Sequence, residues 1–438
     1  MTTASILGST MDSAPVRLVA PADPAPVRRR TLLGYLLVPR PKDLFKALLM
    51  PLTFGLAALA TGGVDLTTVL RAAVVLAALE LLIYPARYQW NDIRGFAADQ
   101  RHPAEAARGR LPGPLERARP NIAASAAVAG LRLLVAAALP VLLPGLGLGP
   151  FIGWMVLGVF GVAVAYEALR AAGTGRSGQV PAPVRPAIVL LWIIVGAGYV
   201  VRGLTGLALV IDLPRAPAVG VAAGVTLWAY GVAFVTSRWA IESTAHGRLR
   251  DGRLTWSCEA GQAREHLLAL VRWVPGRVDP RHFDGPADGS VTGWRALRGR
   301  TALTAPWNLA AVVAGAGAAL TGRLLSGPVS MMEGSVVALT GGLATLATVA
   351  VARHRVPIAA AGAAVLAVIL GFEPVAAVLP WVVVMSACLR CVSGSLSTMG
   401  ALGDRLRSRV GDALSPLVRA VLGRETWAAL TGAEQVRG

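Results

Sequence analysis

The chain has 438 residues, of which 55% are hydrophobic and only 15% charged, and its mean hydropathy is +0.59. Soluble domains carry about 25% charge and disorder requires low hydrophobicity, so an ordinary soluble enzyme and a disordered chain are both excluded. The 42 Lys and Arg against 24 Asp and Glu leave a formal charge of +18, but these cations lie between apolar runs. That placement reads as a positive-inside bias rather than a nucleic-acid footprint; a second reading assigns some of them to a phosphorylated or anionic substrate.

Residues 1–30 are rich in Ala, Pro and Ser and end in Arg28-Arg29-Arg30. They lack the pattern of a signal peptide and are expected to form a disordered cytoplasmic tail. Apolar runs follow at about 43–62, 67–88, 121–143, 149–169, 186–209, 218–238, 305–324, 332–352 and 357–390. Each matches the ~20 helical residues needed to cross a bilayer core. The last run contains Gly371, Glu373 and Pro374 and reads as one long helix or two short ones. Backbone groups in lipid must pair internally, and ten-residue alternation of a barrel is not present. The expected fold is therefore all-α: a polytopic bundle of nine or ten transmembrane helices over 31–390.

Arg-rich loops at 89–119, 170–185 and 239–304 alternate with short connections at 63–66 and 144–148 that hold almost no cations. This puts the N-terminus, the long loops and the basic tail at 391–438 in the cytoplasm. A cytoplasmic tail needs an even number of crossings, which favours ten. The Ala, Gly, Arg and Pro bias fits a GC-rich genome, and the expected location is a bacterial plasma membrane. Cys388 and Cys391 form a single C-x-x-C without the two further ligands of a structural zinc. The stretch 404–430 reads as an amphipathic surface helix.

The stretch from Tyr84 to Pro112 carries the most chemistry. Asn91, Asp92 and Asp99 cluster where the second run ends, and Asp92 and Asp99 are seven apart, so a helix would put them on one face. Mg²⁺ takes oxygen ligands, commonly one or two carboxylates plus substrate phosphates. Arg94, Arg101, His102, Arg108 and Arg110 surround them. Carboxylates interleaved with Arg suit a metal–diphosphate substrate, although a polar loop in a basic protein also contains such pairs for solvation alone. Lys46 and Arg202 lie in or near membrane runs, where a cation usually faces a cavity or snorkels to the interface. Glu80 and Glu167 either line a cavity or pair with Arg. Trp90, Trp239 and Trp307 read as interfacial anchors.

The order Asn91-Asp92-Ile93-Arg94-Gly95-Phe96-Ala97-Ala98-Asp99 resembles the first Asp-rich motif of the UbiA superfamily of intramembrane prenyltransferases. Collinear echoes accompany it. They are Arg40-Pro41 with Lys46, Tyr166 with Arg170, Gly198-Tyr199-Val200-Val201-Arg202 with Gly206, and Ser237-Arg238-Trp239 with Glu242. Asp99-Gln100-Arg101-His102-Pro103 and Arg110-Leu111-Pro112 look most like the branch that transfers phosphoribose to decaprenyl phosphate. Gly95 stands where the motif has its middle Asp, and no clear second Asp-rich motif follows the sixth run; Glu242 with Asp251, or Asp284 with Asp288, are candidates.

The resemblance implies Mg²⁺-dependent transfer chemistry on an isoprenoid diphosphate or polyprenyl phosphate at the cytoplasmic face. Asp92 and Asp99 would be the catalytic pair. Asn91, Asp92 and Asp99, with Glu242 and Asp251, would hold Mg²⁺. Lys46, Arg101, Arg110, Arg202 and Arg238 would bind phosphate. Other expectations remain open: a terpene cyclase of the same fold, a degenerate non-catalytic paralogue that binds lipid or a partner, and, last, a transporter.

Overall fold

A computed structural model describes residues 31–40, 46–102, 109–243, 246–250, 253–260, 262–274, 278–283, 301–351, 354–371 and 375–393, with 16–18 and isolated positions after 408. Hydrocarbon offers no partner to a backbone amide, so each apolar run closes its own hydrogen bonds as a helix. Helix α1, Leu32–Leu37, starts behind Thr31, whose hydroxyl accepts from the Gly34 amide at 3.2 Å. Helix α2 is Leu49–Ala60. The chain turns at Gly62 and Gly63, with φ of 80° and 125°. Asp65 then caps the next helix by accepting from the Thr68 amide at 2.7 Å. That helix, α3, runs through Leu66–Gln100 with a π-helical turn at Ala78–Ile83.

Helices α4, Ala118–Leu142, and α5, Gly149–Gly173, follow. Then come α6, Pro186–Ala208, with a turn at residues 195–196, and α7, Pro217–Ser243. The second block comprises α9, Pro306–Leu325, α10, Met331–Ala350, α11, Arg355–Ile369, and α12, Val375–Ser393. Prolines open α6, α7 and α9, where the missing N–H has no intrahelical partner to lose. Between the blocks lie a hairpin, β2 Gly247–Arg250 with β3 Arg253–Trp256, and the short helix α8, Glu265–Leu268. Strand β4, Val278–Phe283, pairs in parallel with β1, Val16–Leu18.

Among the described residues, seven helical spans are long and apolar enough to cross a membrane, and Lys46–Ala60, Arg355–Ile369 and Ala377–Leu389 are shorter apolar helices. The chain is thus a largely helical integral membrane protein. The run expected at 67–88 continues to Gln100, through residues expected to be loop. Its polar residues stay helical because they find partners inside the bundle, as described below. The last run is two helices, separated at Gly371, whose φ is 66°. The expected tails at 1–30 and 391–438 lie mostly outside the described residues, as do Asp251, Asp284 and Asp288.

Two apolar cores flank α6 and α7. One gathers Met50, Val75, Leu79, Ile83, Met155 and Val201 from α2, α3, α5 and α6. The other gathers Trp192, Tyr199, Tyr230, Trp307 and Trp381 from α6, α7, α9 and α12. Trp307, expected at the membrane interface, is instead fully buried, and its indole donates to Thr301 Oγ1 at 3.1 Å. Helix α2 meets α6 at Gly206, where a Cβ would collide with the Met50 carbonyl and the Thr53 hydroxyl. Gly206→Val is therefore expected to lower stability by about 1–3 kcal/mol through overpacking, measured by unfolding in detergent. Gly55→Ala, where nothing lies within 4 Å of the new carbon, serves as the control. An equal response from both variants would contradict this contact.

Candidate functional site

Up-and-down connectivity brings the start of α2, the end of α3, the α5–α6 connection and the end of α7 to one end of the bundle. A cavity of about 260 Å³ opens there. Along α3 its wall is Tyr84, Tyr88, Asn91, Gly95, Asp99 and His102, spaced by three or four residues and so forming one helix face. Helix α5 contributes Tyr166 and Arg170, α6 contributes Gly198, Tyr199 and Arg202, and α7 contributes Trp239 and Glu242. The segment around α8 closes the cavity with Arg264, His266 and Leu267. Among the described residues, nine Lys and Arg side chains line this space, against the carboxylates of Asp99 and Glu242.

Three buried carboxylates just behind the wall hold much of that cationic charge in place. Asp92 is fully buried. It ion-pairs with Arg40, accepts from Arg110 at 3.0 Å and accepts from the Tyr35 hydroxyl at 3.2 Å. Burial and the Asp92 charge hold the Tyr35 phenol well above its usual pKa, so it remains a donor. Glu167 pairs with Arg170 at 2.6 Å and Arg94 at 3.4 Å. With its amide turned to satisfy both neighbours, Asn91 donates to Glu167 Oε1 at 3.2 Å and accepts from Arg40.

The third pair lies deeper. Glu80, on the π-helical turn of α3, accepts from Arg202 Nε at 2.7 Å and from its NH2 at 3.3 Å. The same guanidinium reaches the Tyr88 hydroxyl at 3.2 Å and lies 3.2 Å from the centre of the Tyr84 ring. Glu80 and Glu167, each left between lining and pairing by the sequence, both pair with Arg.

The α8 segment is fixed to the bundle by polar contacts on both sides. Glu265 ion-pairs with Arg185 and accepts from the Gly175 amide at 3.0 Å. Arg264 donates to the carbonyls of Arg170 and Thr174 at 2.7 and 3.2 Å. The Trp192 indole donates to the His266 carbonyl at 3.0 Å. Burial, and then the charges of Arg170 and Arg264, push the His266 pKa from 6.5 down to about 3. Its imidazole stays neutral, edge-on to Trp239 with centroids 5.0 Å apart.

Of the residues singled out from sequence, Lys46, Asn91, Asp99, Arg110, Arg202 and Glu242 line the cavity. Asp92 stands behind the wall as a counter-ion. Arg101 is exposed and outside the lining. Arg238 is half-buried, also outside the lining, with its guanidinium 5.6 Å from the Phe234 ring centre. Gly95 gives Asp99 its room: a Cβ there would lie 3.2 Å from Asp99 Oδ2. Sequence reading did not single out Arg264 and His266. Nothing in an Arg-rich loop distinguishes the two residues that fold back inward.

The donor set bears on a magnesium ion. Among the described residues no three His, Cys, Asp or Glu side chains converge on one point. Asp99 and Glu242 nevertheless reach the same cavity. A Mg²⁺ in this cavity would therefore take most of its shell from substrate phosphate oxygens and water. No family model matches the chain, and no curated protein or solved structure matches it.

Two outcomes follow from this geometry. Glu80→Ala strands a buried guanidinium and is expected to cost about 3–5 kcal/mol, whereas Glu80→Leu with Arg202→Met recovers most of that loss. Thermal unfolding in detergent reads both, and a neutral Glu80→Ala would show the pair to be unimportant. His266 is neutral when folded but takes a proton between pH 6.5 and about 3 when unfolded. Stability from this residue is therefore lost as pH falls through that window. His266→Leu is expected to flatten the decline in melting temperature between pH 7 and 4.5; an unchanged slope would contradict the assignment.

Proposed function

We propose that this protein is an intramembrane prenyltransferase of the UbiA type, acting on a prenyl diphosphate or polyprenyl phosphate at the cytoplasmic face of a bacterial plasma membrane. The observation that carries this reading is the excess of fixed cations around a cavity whose floor continues into an apolar helical bundle. An isoprenoid phosphate has the matching shape: a compact anionic head on a hydrocarbon chain. The collinear resemblance from Arg40 to Glu242 supports the same class.

In such a reaction the allylic carbon–oxygen bond breaks, and negative charge grows on the departing diphosphate. The electron pair of that bond leaves with the diphosphate, and an acceptor nucleophile attacks the carbon and loses its proton. Arg40, Lys46, Arg110, Arg170, Arg202 and Arg264 are the cavity's donors to the phosphate oxygens. Four of these cations are held before substrate arrives: Arg40 and Arg110 by Asp92, Arg170 by Glu167 and Arg202 by Glu80. Preorganised charge of this kind costs no rearrangement in the transition state. Asp99 and Glu242 would hold Mg²⁺, which would supply positive charge to offset the negative charge growing on the departing diphosphate. The Tyr84, Tyr88 and Tyr166 rings pack against Arg202, Arg40 and Arg170 and so help to fix those cations.

One observation favours a second reading, a phospholipid-binding paralogue without turnover. Asp92, the first carboxylate of the motif, is paired with two guanidinium groups, and Gly95 leaves the middle position of the motif without a carboxylate. One assay separates the two readings. Full-length protein in nanodiscs is supplied with Mg²⁺, prenyl diphosphates of five to twenty carbons and a panel of aromatic and polyprenyl phosphate acceptors. Turnover is expected, falling about 100-fold or more in Asp99→Asn and in Glu242→Gln. Diphosphate binding with no turnover across the panel would favour the binder, and neither binding nor turnover would defeat both readings.

A further inference from the structure

The segment that carries Arg264 and His266 to the cavity is held in two different ways. Its C-terminal half is anchored by apolar burial: Leu268, Ala269 and Leu270 are fully buried and Val271 nearly so. Its N-terminal half hangs on polar contacts to the α5–α6 connection, and Glu265 is their centre. The Glu265 carboxylate ion-pairs with Arg185 and accepts from the Gly175 amide at 3.0 Å and the Ser177 hydroxyl at 3.4 Å. A Cβ on Gly175 would lie 2.6 Å from Glu265 Oε1, so that approach needs glycine. Nearby, the Cys258 amide donates to the Gly178 carbonyl at 2.9 Å. Glu265 itself does not line the cavity, but the residues on either side of it, Arg264 and His266, both do.

Arg264 needs such an anchor. Its guanidinium donates to neutral oxygens: the carbonyls of Arg170 and Thr174 and, at 3.3 Å, the Thr174 hydroxyl. Burial, and then the charges of Arg176 and Arg170, hold its pKa below the ordinary arginine value. Glu167 offsets part of that repulsion, but it already pairs with Arg170 and Arg94. Docking the segment therefore sets a third guanidinium beside two others, which costs energy until an anion sits among them. We propose that Glu265 is the positioning residue that docks Arg264 on the cavity wall against this repulsion, and that an anion bound in the cavity strengthens the same docking. The carboxylate acts through Arg264 and touches no reactant. The effect of the anion follows by linkage: a ligand that Arg264 contacts binds the docked segment better and shifts the population toward it. This second effect rests on the reading of the cavity as a phosphate site, whereas the positioning role rests on the contacts of Glu265 alone.

Cys258, half-buried on the same segment and seven residues before Glu265, reports undocking. Full-length wild type, Glu265→Ala and Arg185→Gln in nanodiscs are alkylated with N-ethylmaleimide, and the Cys258 peptide is followed by mass spectrometry. Both variants are expected to react several-fold faster than wild type, and saturating inorganic diphosphate with Mg²⁺ is expected to slow the wild-type reaction. Diphosphate affinity is then measured for Arg264→Gln, Glu265→Ala and the double variant. Each single variant is expected to bind about tenfold more weakly than wild type. The double variant is expected to bind no more weakly than Arg264→Gln alone, because Glu265 acts through Arg264. Additive losses would show that Glu265 acts elsewhere and overturn the positioning role, as would an unchanged Cys258 rate in both variants. Diphosphate that binds wild type without slowing the reaction overturns the coupling alone. A wild type that binds no diphosphate overturns the coupling together with the phosphate reading, and the alkylation rates then decide the positioning role.

Discussion

A charge inside a helical bundle must find a partner or a cavity, and this constraint organises the molecule. Asp92 gathers Arg40, Arg110 and the Tyr35 hydroxyl onto one buried carboxylate. Through these contacts α1, the α1–α2 connection, α3 and the segment before α4 share one anchor. Glu167 ties α5 to Arg94 on α3, and Glu80 ties α3 to Arg202 on α6. Breaking any of these pairs would leave an uncompensated ion in low dielectric, a cost of several kcal/mol. The same pairs stop short of neutrality. The cavity wall keeps more cations than the carboxylates around it can balance, and that residual positive charge is what an anionic head group would meet.

Fold and site come together in α3. A strictly apolar helix would have ended near residue 88. The polar continuation to Gln100 remains helical because Gln89 accepts from Arg132 and donates to the Ser125 carbonyl, while Asp92 and Asn91 have the partners described above. The π-helical turn places Glu80 against Arg202, more than a hundred residues away. Such turns often mark functional sites in helices. Here it sets the depth of a guanidinium that lines the cavity from the membrane side. At the other side the segment from Arg264 to Trp273 buries Leu268, Leu270 and Val271 and lines the cavity with Arg264 and His266. The cavity is therefore lined at this end by an inserted segment and, along α3 and α6, by residues of the bundle.

The helices were legible because hydrocarbon leaves the backbone no alternative, and length alone then places them within a few residues. The shared face of Asp92 and Asp99 was legible from a spacing of seven. Their different fates were not: spacing cannot show that Arg40 and Arg110 converge on the first and leave the second lining the cavity. Glu80 and Arg202 each stood out as ions in apolar runs, yet their pairing depends on how α3 meets α6. The extension of α3 was missed because Asn91, Asp92 and Arg94 look like solvated loop residues until their partners are known. Trp307 misled for the converse reason. An aromatic near a run end matches an interfacial anchor, and only packing against α7 and Thr301 shows it to be core. Arg264 and His266 carry no local signal at all.

The central claim is that the cationic cavity receives a phosphorylated lipid head. A cryo-EM map of the full-length protein in a nanodisc with a non-reactive prenyl thiodiphosphate and Mg²⁺ addresses it directly. Both phosphorus atoms are expected within contact distance of Arg110, Arg170, Arg202 and Arg264, with Asp99 and Glu242 on the metal side. Phosphate density confined to the outer basic loops, with this cavity holding only water, would contradict it.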